Sequence, residues 1–394
     1  MNPFVDDPSC PRYSAFMQTK ILKLDGGSSD ADKIATVAHC VAKGGLAAFP
    51  TETVYGLAAI AATGPLARLD AVKSRDPDKR YSLHIATPAD LNRYIPIVNA
   101  RCRRLISRGW PGPITLVFTL SDKQLAHQRL ILGDSLFSCL YRDDTLGVRC
   151  PANPVATQFL ASVPDPIVAP SANPSGFPAA TTSAQVLQSF DGLIDYVLDA
   201  DDLSGGRCRY AKNSTVLRVT QTGFDVLREG VCSRDDIEDL SLTRILFVCT
   251  GNTCRSPLAE ILARKWLAKY FQCDLDAVRA FGYKISSVGV MALSDLPASI
   301  EAVEVARENG LDLSNHRSRS VDVELIRSSD WIFALGRNHR DRIVGLCPDA
   351  ADRCRLLDES GDIPDPIGAD LDTYRRVAER IRRAVEIRLK EIVE

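Results

Sequence analysis

The chain has no C-x2-C pair, so its 12 cysteines lack the paired spacing of a structural zinc site. At 394 residues it is also far too long for a small disulfide-stapled scaffold. No apolar run approaches the ~20 residues that a membrane-spanning helix requires. The start, MNPFVDDPSCPRYSAFMQTK, has no basic segment followed by an apolar one, so residues 1–20 read as a loose tail rather than a signal peptide. Neither charge is in excess. With a formal net charge of −2, no global field marks nucleic acid or a membrane as the partner. Walker A and G-x-G-x-x-G motifs are both missing, so any nucleotide site must be built differently. There is no internal repeat and no low-complexity segment. For scattered, unpaired cysteines the simplest setting is a reducing cytoplasm.

What is present is an α/β pattern. Strand-like apolar runs alternate with amphipathic, helix-like runs, and 45% hydrophobic residues suffice for ordinary cores. The length fits two or three domains. A first unit is expected over residues 21–230, a short polar linker over 231–243, and a second unit over 244–394. The last segment, TYRRVAERIRRAVEIRLKEIVE, spaces Tyr374, Val377, Ile381, Val385, Leu389 and Ile392 by three and four residues. That spacing predicts an amphipathic helix docked on a core, its arginines forming a solvated face rather than a nucleic-acid surface.

The run ILFVCTGNTCRSPLAE is the most informative in the chain. An apolar strand over Ile245 to Val248 leads into Cys249, Thr250, Gly251, Asn252, Thr253, Cys254, Arg255 and Ser256, and a helix is expected from Pro257. Such a turn aims successive backbone N–H groups inward as an anion nest, and the helix N-terminus adds partial positive charge. Arg255 offers a planar fork for two phosphate oxygens. The same field is expected to lower the pKa of Cys249 and so populate its thiolate near neutral pH. Gly251 and Asn252 suit the left-handed backbone of a tight turn, and Ser256 can donate a hydrogen bond to the sulfur. The competing reading is a buried structural cysteine beside a surface arginine.

With CTGNTCRSP, ISSVGV, ENGLDLSNHRSR, SDWIFALGRNH and DIPDPIG in this order, the second unit resembles the low-molecular-weight protein tyrosine phosphatase family over essentially its whole length. The resemblance implies a parallel sheet flanked by helices. It implies Cys249 as the nucleophile that forms a phosphocysteine and Arg255 as the phosphoryl-binding residue. Asp365 would be the acid that protonates the leaving group and then activates water. Tyrosine-specific members carry an aliphatic residue at the position of Thr253 and aromatic residues after the Asp-Pro, where this chain has Ile367 and Gly368. A threonine hydroxyl accepts a hydrogen bond from a guanidinium, and CTGNTCRSP is similar to the protein arginine phosphatases, although those tend to have Phe where Ile367 stands. Phosphoarginine is therefore the expected substrate, with phosphotyrosine as the alternative. Arsenate reduction is a further alternative, with Cys347 and Cys354 as a resolving pair. Cys254 reads as small filler or as an oxidation partner for Cys249.

In the first unit, AAFPTETVYGLAA, KSRDPDKRYSLHIA, GWPGPITLVF, LGVRCP, VAPSANPSG, NSTVLRV and VLREG each pair an apolar strand with a polar or Gly/Pro-rich end. Strand ends of open α/β sheets are where ligands bind, and spacing alone supports an anionic ligand in a cleft. Taken together, the runs resemble the YrdC/TsaC threonylcarbamoyl-AMP synthases from about Ile21 to Gly230. That implies a twisted open sheet with a cationic cleft, converting L-threonine, bicarbonate and ATP to threonylcarbamoyl-adenylate for tRNA modification. Mg²⁺ would accompany ATP, and tRNA or tRNA-modifying proteins are potential partners.

By the same resemblance, Lys73, Arg75, Ser171 and Asn173 surround the nucleotide and carbamate, and Arg149, Ser214 and Arg228 match nucleotide-side positions. Thr51 and His84 match threonine-binding positions, with Thr115 as a further contact. Two departures are Arg80-Tyr81, where Pro or Gly followed by an aliphatic residue is common, and Asn153, where His is frequent. The expected protein is a bifunctional, cytoplasmic enzyme whose second activity acts on a phosphorylated protein. The alternative for the first unit is an RNA-binding module without catalysis. A carbamoyl-transfer domain like those of hydrogenase maturation factors would bring zinc-finger and acylphosphatase segments, which this chain lacks.

Overall fold

A computed structural model describes residues 18–74, 81–96, 98–220 and 223–393. The expected tail falls outside these up to residue 17. Thr19 is already docked, its buried hydroxyl donating to the Ile194 carbonyl at 2.8 Å. Contacts divide the chain into two compact units, Met1–Leu240 and Ser241–Glu394.

Among the described residues, the first unit has ten strands: β1 (Lys20–Lys23), β2 (Ala47–Phe49), β3 (Gly56–Ile60), β4 (Ser82–His84), β5 (Ile114–Thr119), β6 (Thr145–Arg149), β7 (Ile167–Val168), β8 (Tyr196–Asp199), β9 (Thr215–Val219) and β10 (Phe224–Arg228). They form one mixed sheet in the order β1-β8-β2-β3-β7-β4-β6-β5-β9-β10. Register places His84 and Thr115 on either side of Arg149, on one rung across β4, β6 and β5. One core contains Tyr55, Leu57, Leu116, Val148 and Phe190, and a second contains Phe49, Ala58, Phe159 and Leu198. The alternation along β3, with Leu57 in one core and Ala58 in the other, is the period of two expected of a strand covered on both faces.

The segment expected to be a linker holds a helix, Arg234–Ser241. Ile237 is fully buried in the first core, and Cys232 and Leu240 pack against it. Its acidic, polar composition hid the single apolar stripe that docks it.

The second unit has four strands among the described residues: β11 (Thr243–Cys249), β12 (Tyr283–Gly289), β13 (Trp331–Ala334) and β14 (Cys354–Leu356). They form a parallel sheet in the order β12-β11-β13-β14. β11 lies inside the sheet, so it is apolar on both faces. Ile245, Phe247 and Cys249 face the core shared with the helices Arg255–Phe271 and Leu371–Val393, while Leu246 and Val248 face Ile326, Ile343, Cys347 and Cys354. In the last helix Tyr374, Val377, Ile381, Val385 and Leu389 are buried, as their spacing predicts. The chain leaves β11 toward β12 on one side and returns to β13 on the other, so Cys249 ends a strand where the order reverses, the usual crevice in such sheets.

Among the described residues, no helix is long and apolar enough to cross a membrane. Ile237→Ala should lower the stability of the first unit by about 2–5 kcal/mol, read as an earlier urea transition of that unit. The same substitution in a true linker would leave the transition in place.

Candidate active sites

The strand β11 ends at Cys249, and the helix that follows begins at Arg255, two residues earlier than the proline suggests. Proline is favoured within the first helical turn, where its missing N–H is not needed. Between them the turn folds back on the sulfur. Asn252 takes the left-handed conformation (φ 55°), whereas Gly251 does not. The Asn252 N–H points at Cys249 Sγ (3.2 Å), and Ser256 Oγ lies 2.9 Å from the same sulfur. The Asn252 side chain braces the turn: Nδ2 donates to Ser256 Oγ and Ser287 Oγ, each at 2.9 Å, and Oδ1 accepts from the Arg319 N–H at 2.9 Å. His316 Nε2 bonds the Asn252 carbonyl at 2.7 Å. Gly289 lies so close beneath that a side-chain carbon there would strike the Thr250 carbonyl and come within 2.9 Å of the Asn252 nitrogen.

The Arg255 guanidinium is buried. It donates from Nη1 to the Ile363 carbonyl (3.0 Å), from Nη2 to Thr250 Oγ1 (3.2 Å), and it forms an ion pair with Asp365. The three expected reacting groups, Cys249, Arg255 and Asp365, are thus gathered at one end of the sheet. Cys254 does not line an open face. Its sulfur packs 3.3 Å from the Tyr374 hydroxyl and 3.4 Å from Ser299 Oγ. Thr253 is half-buried, with its hydroxyl 3.6 Å from Cys254 Sγ, and Ile367 is exposed. Cys347 and Cys354 lie within the core on the other face of the sheet.

One expectation is corrected. Burial pushes the Cys249 thiol above its ordinary value, and this outweighs the bonds from Ser256 and the Asn252 N–H and the charge of Arg255, all of which pull it down. The sequence shows the groups that favour a thiolate but not the depth at which they sit. The single Ser256 proton has two places to go, the sulfur at 2.9 Å or the Val288 carbonyl at 3.2 Å. With a thiol it goes to the carbonyl, and with a thiolate it turns to the sulfur.

In the first unit, Thr51, His84, Thr115, Arg149, Ser171, Ser214 and Arg228 line one cavity of about 190 Å³. Lys73 ends the helix Thr63–Lys73 and is buried, donating from Nζ to the carbonyls of Ser171 and Asn173, each at 2.5 Å. The Asn173 side chain is used locally: it accepts from Ser171 Oγ and donates to the Pro174 and Phe177 carbonyls. Arg75 lies outside the described residues, as does Arg80. Tyr81 lines the cavity, with its hydroxyl donating to Asp70. Asn153 is buried and caps the helix Pro154–Ser162, accepting from the N–H groups of Val155 and Ala156.

Arg149 donates from Nη2 to Thr51 Oγ1 (3.2 Å), Thr53 Oγ1 (2.6 Å) and Glu52 Oε1 (2.9 Å), which fixes its guanidinium within the cavity. It shares a rung of the sheet with His84 and Thr115, which only sheet register reveals. Ser214 and Arg228 form a second group: Arg228 Nη2 donates to the Ser214 carbonyl at 2.9 Å, and Ser214 Oγ is 2.9 Å from Thr115 Oγ1. Burial and then the Arg149 charge push Arg228 below its ordinary value, and the Arg149 Nε is buried without a partner among the described residues. Two guanidinium groups that repel one another and an unmet donor describe a cavity suited to an anion. Burial and then the Arg149 charge hold His84 down to about 3, and its Nδ1 bonds the Ser82 carbonyl at 3.1 Å, which leaves Nε2 as an acceptor.

Glu52, Thr53, Ser287, His316 and His339 escaped the sequence reading. Glu52 and Thr53 lie inside PTETVYGL, and the two histidines inside SNHRSR and GRNH, so the signal was present without a role attached.

Residues 244–394 match the family model described as low molecular weight phosphotyrosine protein phosphatase. Over 148 residues the chain is 35% identical to a protein-arginine-phosphatase of Geobacillus stearothermophilus, covering 36% of this chain and 91% of that one. Through this unit, the chain belongs to the low-molecular-weight protein phosphatase family. It is also 33% identical over 148 residues to the low molecular weight protein-tyrosine-phosphatase Etp of Escherichia coli K12, covering 37% of this chain and 91% of that one. Residues 39–230 match the Sua5/YciO/YrdC family model, whose description is telomere recombination. The first unit therefore carries a Sua5/YrdC-family domain. Over 207 residues it is 35% identical to a threonylcarbamoyl-AMP synthase of Pyrococcus abyssi, covering 52% of this chain and 56% of that one. The chain thus spans little more than half the length of that relative.

Two measurements check this geometry. Ser256→Ala removes a bond that favours the Cys249 thiolate, so alkylation of Cys249 by iodoacetamide at neutral pH should slow severalfold. For His84, the folded value lies below the unfolded one, so the folded state takes up its proton later as pH falls. Its contribution to stability is complete above about 6.5 and is lost as pH falls toward 3. The wild-type melting temperature should therefore fall more steeply over that window than that of His84→Asn.

Proposed function

We propose that the chain is a bifunctional enzyme, with threonylcarbamoyl-AMP synthesis in the first unit and protein phosphatase activity, directed to phosphoarginine, in the second. The observation that carries the phosphatase reading is the convergence of Cys249, Arg255 and Asp365 around one turn, with Ser256 and the Asn252 N–H on the sulfur. The Cys249 thiol proton passes to the Asp365 carboxylate, and the thiolate so formed attacks phosphorus while the bond to the leaving nitrogen breaks and Asp365 delivers that proton to the nitrogen. Water then attacks the phosphocysteine, Asp365 takes its proton, and the sulfur leaves as a thiolate with Ser256 turned toward it. Arg255 neutralises the phosphoryl oxygens throughout. A phosphoryl group that draws on Arg255 competes with the Asp365 carboxylate for it, so binding releases the acid for its task.

Thr253 and the absence of an aromatic side chain at Ile367 support phosphoarginine. The exposed isoleucine has no ring to stack on a phenyl group, and the threonine hydroxyl supplies an acceptor for a guanidinium N–H. The comparable identities to the arginine and tyrosine phosphatases leave this choice to the residues.

For the first unit, the amine of L-threonine combines with bicarbonate to give a carbamate and water. A carbamate oxygen then attacks the α-phosphorus of ATP and expels pyrophosphate. Arg149 and Arg228 hold the anions, Lys73 shapes the wall through Ser171 and Asn173, and Thr51 and His84 Nε2 accept from threonine. Among the described residues lining the cavity there is no carboxylate, so Mg²⁺ accompanying ATP would ride on the triphosphate oxygens. The product would serve tRNA modification, and a phosphorylated protein would be the substrate of the second unit.

Both assignments can be dissected in the full chain. Cys249→Ser should abolish phosphatase turnover and leave threonine- and bicarbonate-dependent pyrophosphate release intact, and Lys73→Ala should do the reverse. Wild type should prefer phosphoarginine to phosphotyrosine, and Thr253→Ile should shift that preference toward phosphotyrosine by about tenfold or more. A wild type that already prefers phosphotyrosine contradicts the phosphoarginine assignment. RNA binding without pyrophosphate release contradicts the synthase.

A further inference from the structure

Thr250 is the second residue of the catalytic turn, and the chemistry above gives its side chain no task. Its oxygen accepts from Arg255 Nη2 at 3.2 Å and lies 2.9 Å from Nε2 of His339. His339 is 1% exposed in the first turn of the helix Arg337–Leu346, and its Nδ1 has no partner among the described residues.

Proton accounting sets the direction of these bonds. If His339 carried its proton on Nε2, both that N–H and Arg255 would donate to the Thr250 oxygen. The Thr250 proton and the Nδ1 lone pair would then both lack partners. If the proton is on Nδ1, the Thr250 hydroxyl donates to Nε2 and accepts from Arg255, and only the Nδ1–H is unmet. Buried donors and acceptors are costly to leave unmade, so the second arrangement is preferred. It requires a neutral ring. Burial and then the Arg255 charge hold His339 down to about 4, against the opposing pull of Asp365 and Asp362, so the ring is neutral near pH 7.

We propose that Thr250 and His339 are a positioning pair. His339 Nε2 accepts a hydrogen bond from the Thr250 hydroxyl, and the Thr250 oxygen, so oriented, fixes the Arg255 guanidinium in the catalytic turn for an incoming phosphoryl group. The Ile363 carbonyl holds the other end of the guanidinium. An arginine fixed at two points loses less freedom when it grips phosphate than one free to rotate. This inference rests on the phosphatase reading of the same site.

The test uses the full chain and four variants: Thr250→Val, Thr250→Ser, His339→Leu and the double variant Thr250→Val/His339→Leu. Turnover of para-nitrophenyl phosphate and the dissociation constant of inorganic phosphate, by calorimetry, are measured for each. Thr250→Val keeps the shape and removes the hydroxyl. It should lower kcat/KM and weaken phosphate binding by about tenfold. Thr250→Ser restores the hydroxyl and should return to within about twofold of wild type, which a purely structural role would not require. His339→Leu should match Thr250→Val, and the double variant should be no worse than either, because the two residues act as one unit. An unchanged Thr250→Val, a serine that fails to rescue, or losses that multiply in the double variant would overturn the proposal. Should wild type show no Cys249-dependent turnover, the phosphatase reading fails, and the phosphate affinities still decide the positioning claim. Should His339→Leu not fold, the valine and serine variants at position 250 decide it.

Discussion

Each unit takes a guanidinium out of water within its candidate site, and much of the surrounding architecture serves that burial. A buried charge without a partner is among the most costly features a protein can contain. Arg149 is held by Glu52 and two threonine hydroxyls, Arg255 by Asp365, a carbonyl and one threonine hydroxyl. In both cases the carboxylate partner comes from a distant stretch of chain, so the arginine is not fully paired until distant segments meet. In both cases hydroxyl groups share the work with a carboxylate, which leaves the positive charge incompletely neutralised and ready for a ligand.

The parts of this arrangement that could be read from sequence are those that close locally. Cys249, Asn252, Arg255 and Ser256 lie within eight residues, and strand, turn and helix are written into ILFVCTGNTCRSPLAE. The apolar period of the last helix was equally legible, from Tyr374 to Leu389. What escaped is set by depth and register. The thiol of Cys249 is pushed up rather than down because burial, which no motif displays, outweighs its hydrogen bonds. Arg149 shares a rung with His84 and Thr115 because β6 lies between β4 and β5. The helix Arg234–Ser241 was hidden by its acidic residues, since one buried isoleucine is too little periodicity to read.

The two sites also treat their titratable groups alike. His84 and His339 are buried near an arginine and kept neutral, the first at about 3 and the second at about 4. A neutral imidazole beside a fixed cation is an acceptor of known direction, and so a means of orienting hydroxyl groups. Cys249 is likewise uncharged at rest, with one serine proton deciding between two acceptors. Charge in these sites is carried by groups that do not titrate near neutral pH, and the titrating groups are left to direct hydrogen bonds.

The side-chain bonds of the Cys249–Ser256 turn reach across 35, 64, 89 and 110 residues of chain, to Ser287, His316, His339 and Asp365. During synthesis, the turn itself leaves the ribosome long before its partners do. The first unit, by contrast, has its cavity residues in hand by Arg228. Domains generally fold as units in the order they are made, and contacts distant in sequence form slowly because long loops must close first. Cys249 is therefore translated early but enclosed last. A chain interrupted between Ser256 and Asp365 would carry every residue of the first cavity, and a Cys249 turn without its distant partners.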